Sequence, residues 1–198
     1  MDAQTCMKYV KVLEKELVPA LGCTEPIAVA YAGAVAARAL GSFPERIFVA
    51  SSGNIIKNVK GVIVPNAGGQ KGIEAAAVLG ALAGDPDKKL EVLAGVTQAD
   101  VEKTRELVQA GLCSVGMLPG EANLHIMVTA GAGADSVTVE IADEHTNIVA
   151  VLRNGEYLQG GPYTPAASDD ASDDFMTMEG IIDFAENCDL EKVQHILD

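Results

Sequence analysis

An α+β fold (mixed α/β), with buried Ala-rich helices packed on an antiparallel β-meander, follows from three features of the chain. Segments of helical apolar periodicity crowd the first half, and segments of strict alternation replace them beyond Gly111. The helices are also so rich in Ala that they demand burial on several sides. Helices first and a meander later do not build a doubly wound parallel sheet.

Each element has its own signal. Cys6, Val10, Leu13 and Leu17 recur at helical spacing, with Lys8, Lys11, Glu14 and Lys15 on the other face, until Pro19 breaks the pattern. Leu21-Gly22-Cys23 makes a tight turn, and Thr24 caps a second helix to about Leu40 whose first turn tolerates Glu25 and Pro26 and which Gly41 closes. Arg46–Ser51 has strand composition, and Ser52-Gly53-Asn54 turns the chain. The loop from Pro65 to Gln70 leads into a second Ala-rich helix from about Lys71 to Ala83, ended by Asp85-Pro86-Asp87. Lys88 to Ala94 reads as a short helix, and Thr97 caps another that runs through Val101, Arg105, Leu107 and Val108 to Gly111. Cys113 stands at a strand start. Three alternating runs follow (Leu124, Ile126, Val128; Val137, Val139, Ile141; Ile148, Ala150, Leu152), each expected to turn these residues one way, with a hairpin at Asn154-Gly155. Residues 1–158 are thus expected to form one α/β domain and 159–176 a linker loop carrying the acidic run Ser168 to Asp174. Residues 177–198 read as a helical segment cut off at its apolar positions Val193, Ile196 and Leu197, which points to a missing C-terminal half or a partner chain.

Composition narrows the function classes. At 198 residues and 48% hydrophobic with no Trp, the chain can bury a core built from Ala, Val, Ile and Leu. Fourteen basic against twenty-eight acidic side chains leave a formal charge of -14, so neither nucleic acid nor an anionic membrane is an expected partner. No secretory signal is visible, and the apolar run from Ile27 to Ala37 is too short to span a bilayer, so a cytoplasmic location is expected. Four cysteines without a CxxC pair do not make a secreted disulfide framework. Cys6 and Cys113 read as core residues, while Cys188 is undecided.

Cys23 draws attention on geometry alone. A thiol beside the positive end of a helix dipole is favoured as thiolate, the form that attacks carbon or binds metal. The plain alternative is a small apolar residue filling a turn.

Three segments, Pro19 to Ala28 around Gly22-Cys23-Thr24-Glu25-Pro26, Ser52-Gly53-Asn54-Ile55-Ile56-Lys57-Asn58-Val59-Lys60-Gly61-Val62, and His145-Thr146-Asn147-Ile148-Val149, occur in an order and at intervals that resemble the iron-sulfur L-cysteine desulfidase family, related to the iron-sulfur L-serine dehydratase alpha chain. The resemblance runs from the first helix to about Tyr157. It implies that Cys23 is one ligand of a [4Fe-4S] cluster whose other cysteines belong to a C-terminal half. It further implies a small amino-acid substrate, L-cysteine or L-serine, and β-elimination, in which an open iron acts as Lewis acid while a base removes the α-proton. Pyruvate and ammonia would be released with sulfide or water. Ser52, Asn54, Asn58, Lys71, His145 and Asn147 are then candidates for substrate binding, and Lys57 for the base. A homo-oligomer is compatible with this reading.

Rival readings of the same strings can be stated. Gly68-Gly69-Gln70-Lys71-Gly72 before a helix is either an anion-binding turn or a plain Gly-rich connection, and it is not a P-loop. Ser52-Gly53-Asn54 is also similar to a loop of pyridoxal-phosphate β-eliminases, but those need a Schiff-base lysine after Ser-Phe, and here Ser42-Phe43 precedes Pro44. A non-catalytic small-molecule-binding or assembly domain is the remaining class. His125 alternates outward and is expected to be exposed; His195 carries no argument.

Overall fold

The computed structural model describes residues 1–120, 122–164 and 175–197; the acidic run Ser168 to Asp174, and most of the expected linker, lie outside the described residues. The chain divides into two compact units, Ala20–Pro165 and a second formed by Met1–Pro19 with the C-terminal helices. The expected boundary at residue 158 therefore places the first helix differently from the structure.

In the larger unit, Thr24–Leu40 forms α2, stopped by Gly41 in the left-handed conformation at φ 82°. Its buried residues run from Pro26 to Ala34 without a polar gap, because α2 lies against α4 (Gly72–Ala83) on one side and the strands on the other. Small residues set the approach of these two helices. A Cβ on Gly80 of α4 would meet the Ala30 carbonyl oxygen at 2.0 Å, and one on Gly33 of α2 would meet the Ala77 carbonyl oxygen at 2.6 Å.

The strands are β1 (Arg46–Ser51), β2 (Cys113–Met117), β3 (His125–Ala132), β4 (Asp135–Ala142), β5 (Ile148–Arg153) and β6 (Glu156–Gly160), in one sheet ordered β2-β1-β3-β4-β5-β6. The fold is α+β, as the periodicity predicts. The sheet is mixed rather than a plain meander, because β1 pairs parallel with β2 through a helical crossover and antiparallel with β3. α5 (Gln98–Gln109) completes that crossover behind the capping box of Thr97 and Asp100. Ile47, Val49, Ile126, Val128, Val137, Val139 and Ile141 are all buried in the core shared with the helices.

Two sequence expectations shift here. The polar turn at Ser52-Gly53-Asn54 is the start of a short helix, α3 (Gly53–Val59). In β5 the register shifts opposite Glu140 and Ile141, so Val151 joins the core and Arg153 donates to the Ala39 carbonyl at 2.9 Å, while Ala150 and Leu152 pair with Glu140 and Thr138. One irregularity thus moves two of the three residues expected on the core face to the other face. The closing hairpin does fall at Asn154-Gly155, both left-handed (φ 52° and 87°).

The smaller unit joins α1 (Ala3–Glu16), capped by Asp2, to α6 (Met178–Asn187), capped by Thr177. Tyr9 holds it together: its ring stacks on Phe184 with centroids 5.1 Å apart, and its hydroxyl donates to the Phe175 carbonyl at 2.9 Å. No described helix is long and apolar enough to cross a membrane.

Candidate functional site

Cys23, rather than Thr24 as expected, is the N-cap residue of α2, and its side chain makes no capping bond. Its thiol donates instead to Glu25 Oε2 at 3.1 Å. The other oxygen of Glu25 accepts from Asn58 Nδ2, on the last turn of α3, at 3.3 Å. Next to Cys23, Thr24 Oγ1 lies 3.2 Å from Nε2 of His145, carried by the turn between β4 and β5. Three distant parts of the sequence therefore converge on the N-terminus of one buried helix.

The electrostatics of this cluster run against the simplest expectation for Cys23. Burial first, and then the hydrogen bond to Glu25, push the thiol above its ordinary value, opposite to the direction expected beside a helix terminus. Glu25 is held below the usual carboxylate range, chiefly by the thiol it accepts from and less by Asn58. Burial also lowers His145, which the negative charge of Glu25 only partly offsets. Near neutral pH the cluster is a thiol, a carboxylate and a neutral imidazole.

The remaining candidates lie elsewhere in their bonding. Ser52 Oγ and Asn54 Nδ2 both donate to the Asn123 carbonyl, at 3.1 and 3.2 Å, and so pin the segment entering β3. Asn147 Nδ2 donates to the Ala142 carbonyl at 3.0 Å and shapes its own turn. Lys57 and Lys71 are exposed and join none of these hydrogen bonds; Lys71 is the N-cap residue of α4. The Gly-rich loop before it is pinned by Gln70, whose Nε2 donates to the Val101 carbonyl at 2.9 Å, while Gly68 sits against the Val101 side chain. Glu25 and Thr24 are the participants that sequence reasoning passed over. Both stand in the quoted motif, where they read as helix-start residues.

On metal binding, no group of three or more His, Cys, Asp or Glu side chains able to hold an ion is present among the described residues. Cys23, with Glu25 beside it, fits one position of a cubane that ordinarily takes three or four thiolates. The described residues alone do not fit the whole cluster.

The chain is similar to UPF0597 proteins. The one from Treponema denticola is 41% identical over 199 residues, which cover 100% of this chain and 46% of that protein. The one from Lachnoclostridium phytofermentans is 42% identical over 193 residues (96% and 46%), and that from Finegoldia magna 41% over 192 (96% and 46%). The chain thus spans about half the length of the curated relatives it matches. No family model matches it, and no solved structure does.

Proposed function

We propose that this chain is the N-terminal part of a cytoplasmic amino-acid lyase that carries out β-elimination on L-cysteine or L-serine. The observation that carries the reading is the convergence at α2: the three segments resembling iron-sulfur desulfidases supply Cys23 with Thr24 and Glu25, Asn58, and His145 to one cluster. In this reading Cys23 contributes one thiolate to a [4Fe-4S] cluster, and the other ligands come from the part of the relatives' length that this chain does not span. When bound, the cluster supplies Lewis-acid chemistry.

The residues present divide the remaining tasks. Glu25, which accepts the Cys23 S–H hydrogen bond, would take up or pass on that proton were the sulfur to bind iron, and Asn58 donates to the same carboxylate. Lys57 stays a candidate for removing the α-proton, and His145, neutral near pH 7 with its Nε2 3.2 Å from Thr24 Oγ1, is a second. No phosphate backbone or lipid surface is needed as a partner.

The test is a protein of the relatives' full length, purified anaerobically, with iron and sulfide quantified and pyruvate release followed from each amino acid. His145→Gln should lower kcat at least 100-fold with cluster content unchanged, and Cys23→Ser should lose most of the iron. Iron-replete protein that releases pyruvate from neither substrate refutes the lyase reading.

A further inference from the structure

The smaller unit holds a second thiol arrangement, independent of the Cys23 cluster. Cys6 on α1 and Cys188 at the C-terminus of α6 are both free, and their sulfurs lie 4.0 Å apart across 182 residues of sequence. The Lys192 ammonium lies 4.0 Å from the Cys6 sulfur. Both thiols border a cavity of about 230 Å³, with Lys192, Asp183 and Asp189 also on its wall. Cys6 is 8% exposed and Cys188 half-buried, so a small reactant meets Cys188 first.

We propose that Cys6 and Cys188 form an oxidisable dithiol, a site of thiol–disulfide exchange with small-molecule disulfides, whose closed form ties α1 covalently to the end of α6. The thiolate of Cys188 attacks one sulfur of the incoming disulfide, and a mixed disulfide forms as the first small thiol leaves. Cys6, beside Lys192, then gives up its proton, attacks the Cys188 sulfur and expels the second. Two protein thiols are oxidised, the incoming disulfide is reduced to two thiols, and those carry away both protons.

Geometry and charge favour this pair over the other cysteines. A disulfide needs its sulfurs at about 2.05 Å, so closure asks the two side chains to approach by roughly 2 Å. The Tyr9 contacts with Phe175 and Phe184 already bring α1 and α6 together. Cys23 donates to a carboxylate, and Cys113 donates to the Ser114 carbonyl and is pushed up to about 12 by burial and then by Glu74. Neither has a cysteine neighbour.

The test uses the 198-residue chain. It is equilibrated in glutathione buffers of graded redox ratio, acid-quenched, alkylated and mapped by mass spectrometry. The expected product is a Cys6–Cys188 linked peptide and a mass about 2 Da lower, with Cys23 and Cys113 still alkylated. Lys192→Met should slow ring closure severalfold and let the mixed disulfide at Cys188 accumulate. Cys188→Ala, which avoids placing a hydroxyl in the buried Cys6 position, should remove the linkage while circular dichroism stays unchanged. Glutathione adducts without the internal link, or a link through Cys23 or Cys113, would overturn the assignment, as would closure at an unchanged rate in Lys192→Met.

Discussion

Gly80→Ala tests whether the α2–α4 contact positions the site. In an exposed helix this change would add about 1 kcal/mol of stability through helix propensity. Here the new methyl would lie 2.0 Å from the Ala30 carbonyl oxygen and 2.6 and 2.7 Å from the carbonyl carbon and Cα of the same residue. All three are backbone atoms of a buried helix, so no side chain can swing aside. Because contacts settle at about 3.5 Å, the helices must separate by about 1.5 Å, forfeiting much of the dispersion between Ala-lined surfaces. Overpacking of this kind costs about 3 kcal/mol, which outweighs the propensity gain. The assay is urea denaturation of the 198-residue chain, with Gly95→Ala, where a Cβ meets nothing within 4 Å, as the control. The midpoint should fall in Gly80→Ala and stay within about 0.5 kcal/mol of wild type in the control. Gly80→Ala at or above wild-type stability refutes the argument that backbone contact, rather than side-chain packing, sets the helix spacing.

Three further outcomes are expected. Glu25→Gln should bring the Cys23 thiol part of the way back down toward its ordinary value, since burial, the larger cause, remains; the pH profile of iodoacetamide labelling at Cys23 should therefore move to lower pH. Acid stability should depend on the same cluster: folding lowers Glu25 from 4.5 and His145 from 6.5, so the unfolded chain binds more protons at both groups. The His145 contribution is complete above 6.5 and lost as pH falls through its lower folded value, that of Glu25 complete above 4.5 and lost below, and His145→Gln should flatten the first part of that decline in urea midpoint. Tyr163 donates to Asp143 at 2.7 Å and its phenol is pushed up to about 12, so ultraviolet titration should find it un-ionised above its ordinary 10.0; Asp143→Asn, which suits φ 68°, should bring it back down.

Much of the fold was legible because local signals agreed with packing. α2 runs from Thr24 to Leu40 between the Gly22-Cys23 turn and Gly41, although its N-cap is Cys23 rather than Thr24. What escaped is set by distant chain. His125 does alternate outward, but its side chain is only 15% exposed: it pairs with Glu140 at 2.6 Å under the ring of Tyr163, which no local pattern announces. Ser52 and Asn54 read as a polar pair at a strand end, and both are spent on the Asn123 carbonyl. Tyr9, absent from the apolar stripe assigned to α1, is the residue that joins that helix to α6. In the cluster at the start of α2, Cys23 and His145 are the residues the resemblance names, and the structure brings both to it. Glu25 was hidden because an acidic residue in a first helical turn already has a sufficient local explanation.

The two thiols differ in the charged group their sulfur touches, a carboxylate at Cys23 and an ammonium at Cys6. Burial, and then the carboxylate facing Cys23 at 3.1 Å, keep the sulfur protonated and therefore a poor nucleophile toward peroxides and disulfides. At Cys6 the charged neighbour is instead the Lys192 ammonium, 4.0 Å from the sulfur that closes the ring onto Cys188. Cys188 itself is raised, by burial and then by its contact with Cys6, with Lys192 opposing that rise and Asp189 adding to it. Under a limiting small-molecule disulfide the Cys6–Cys188 pair should therefore be consumed before Cys23. That order protects a sulfur whose proposed role as ligand requires it to remain reduced.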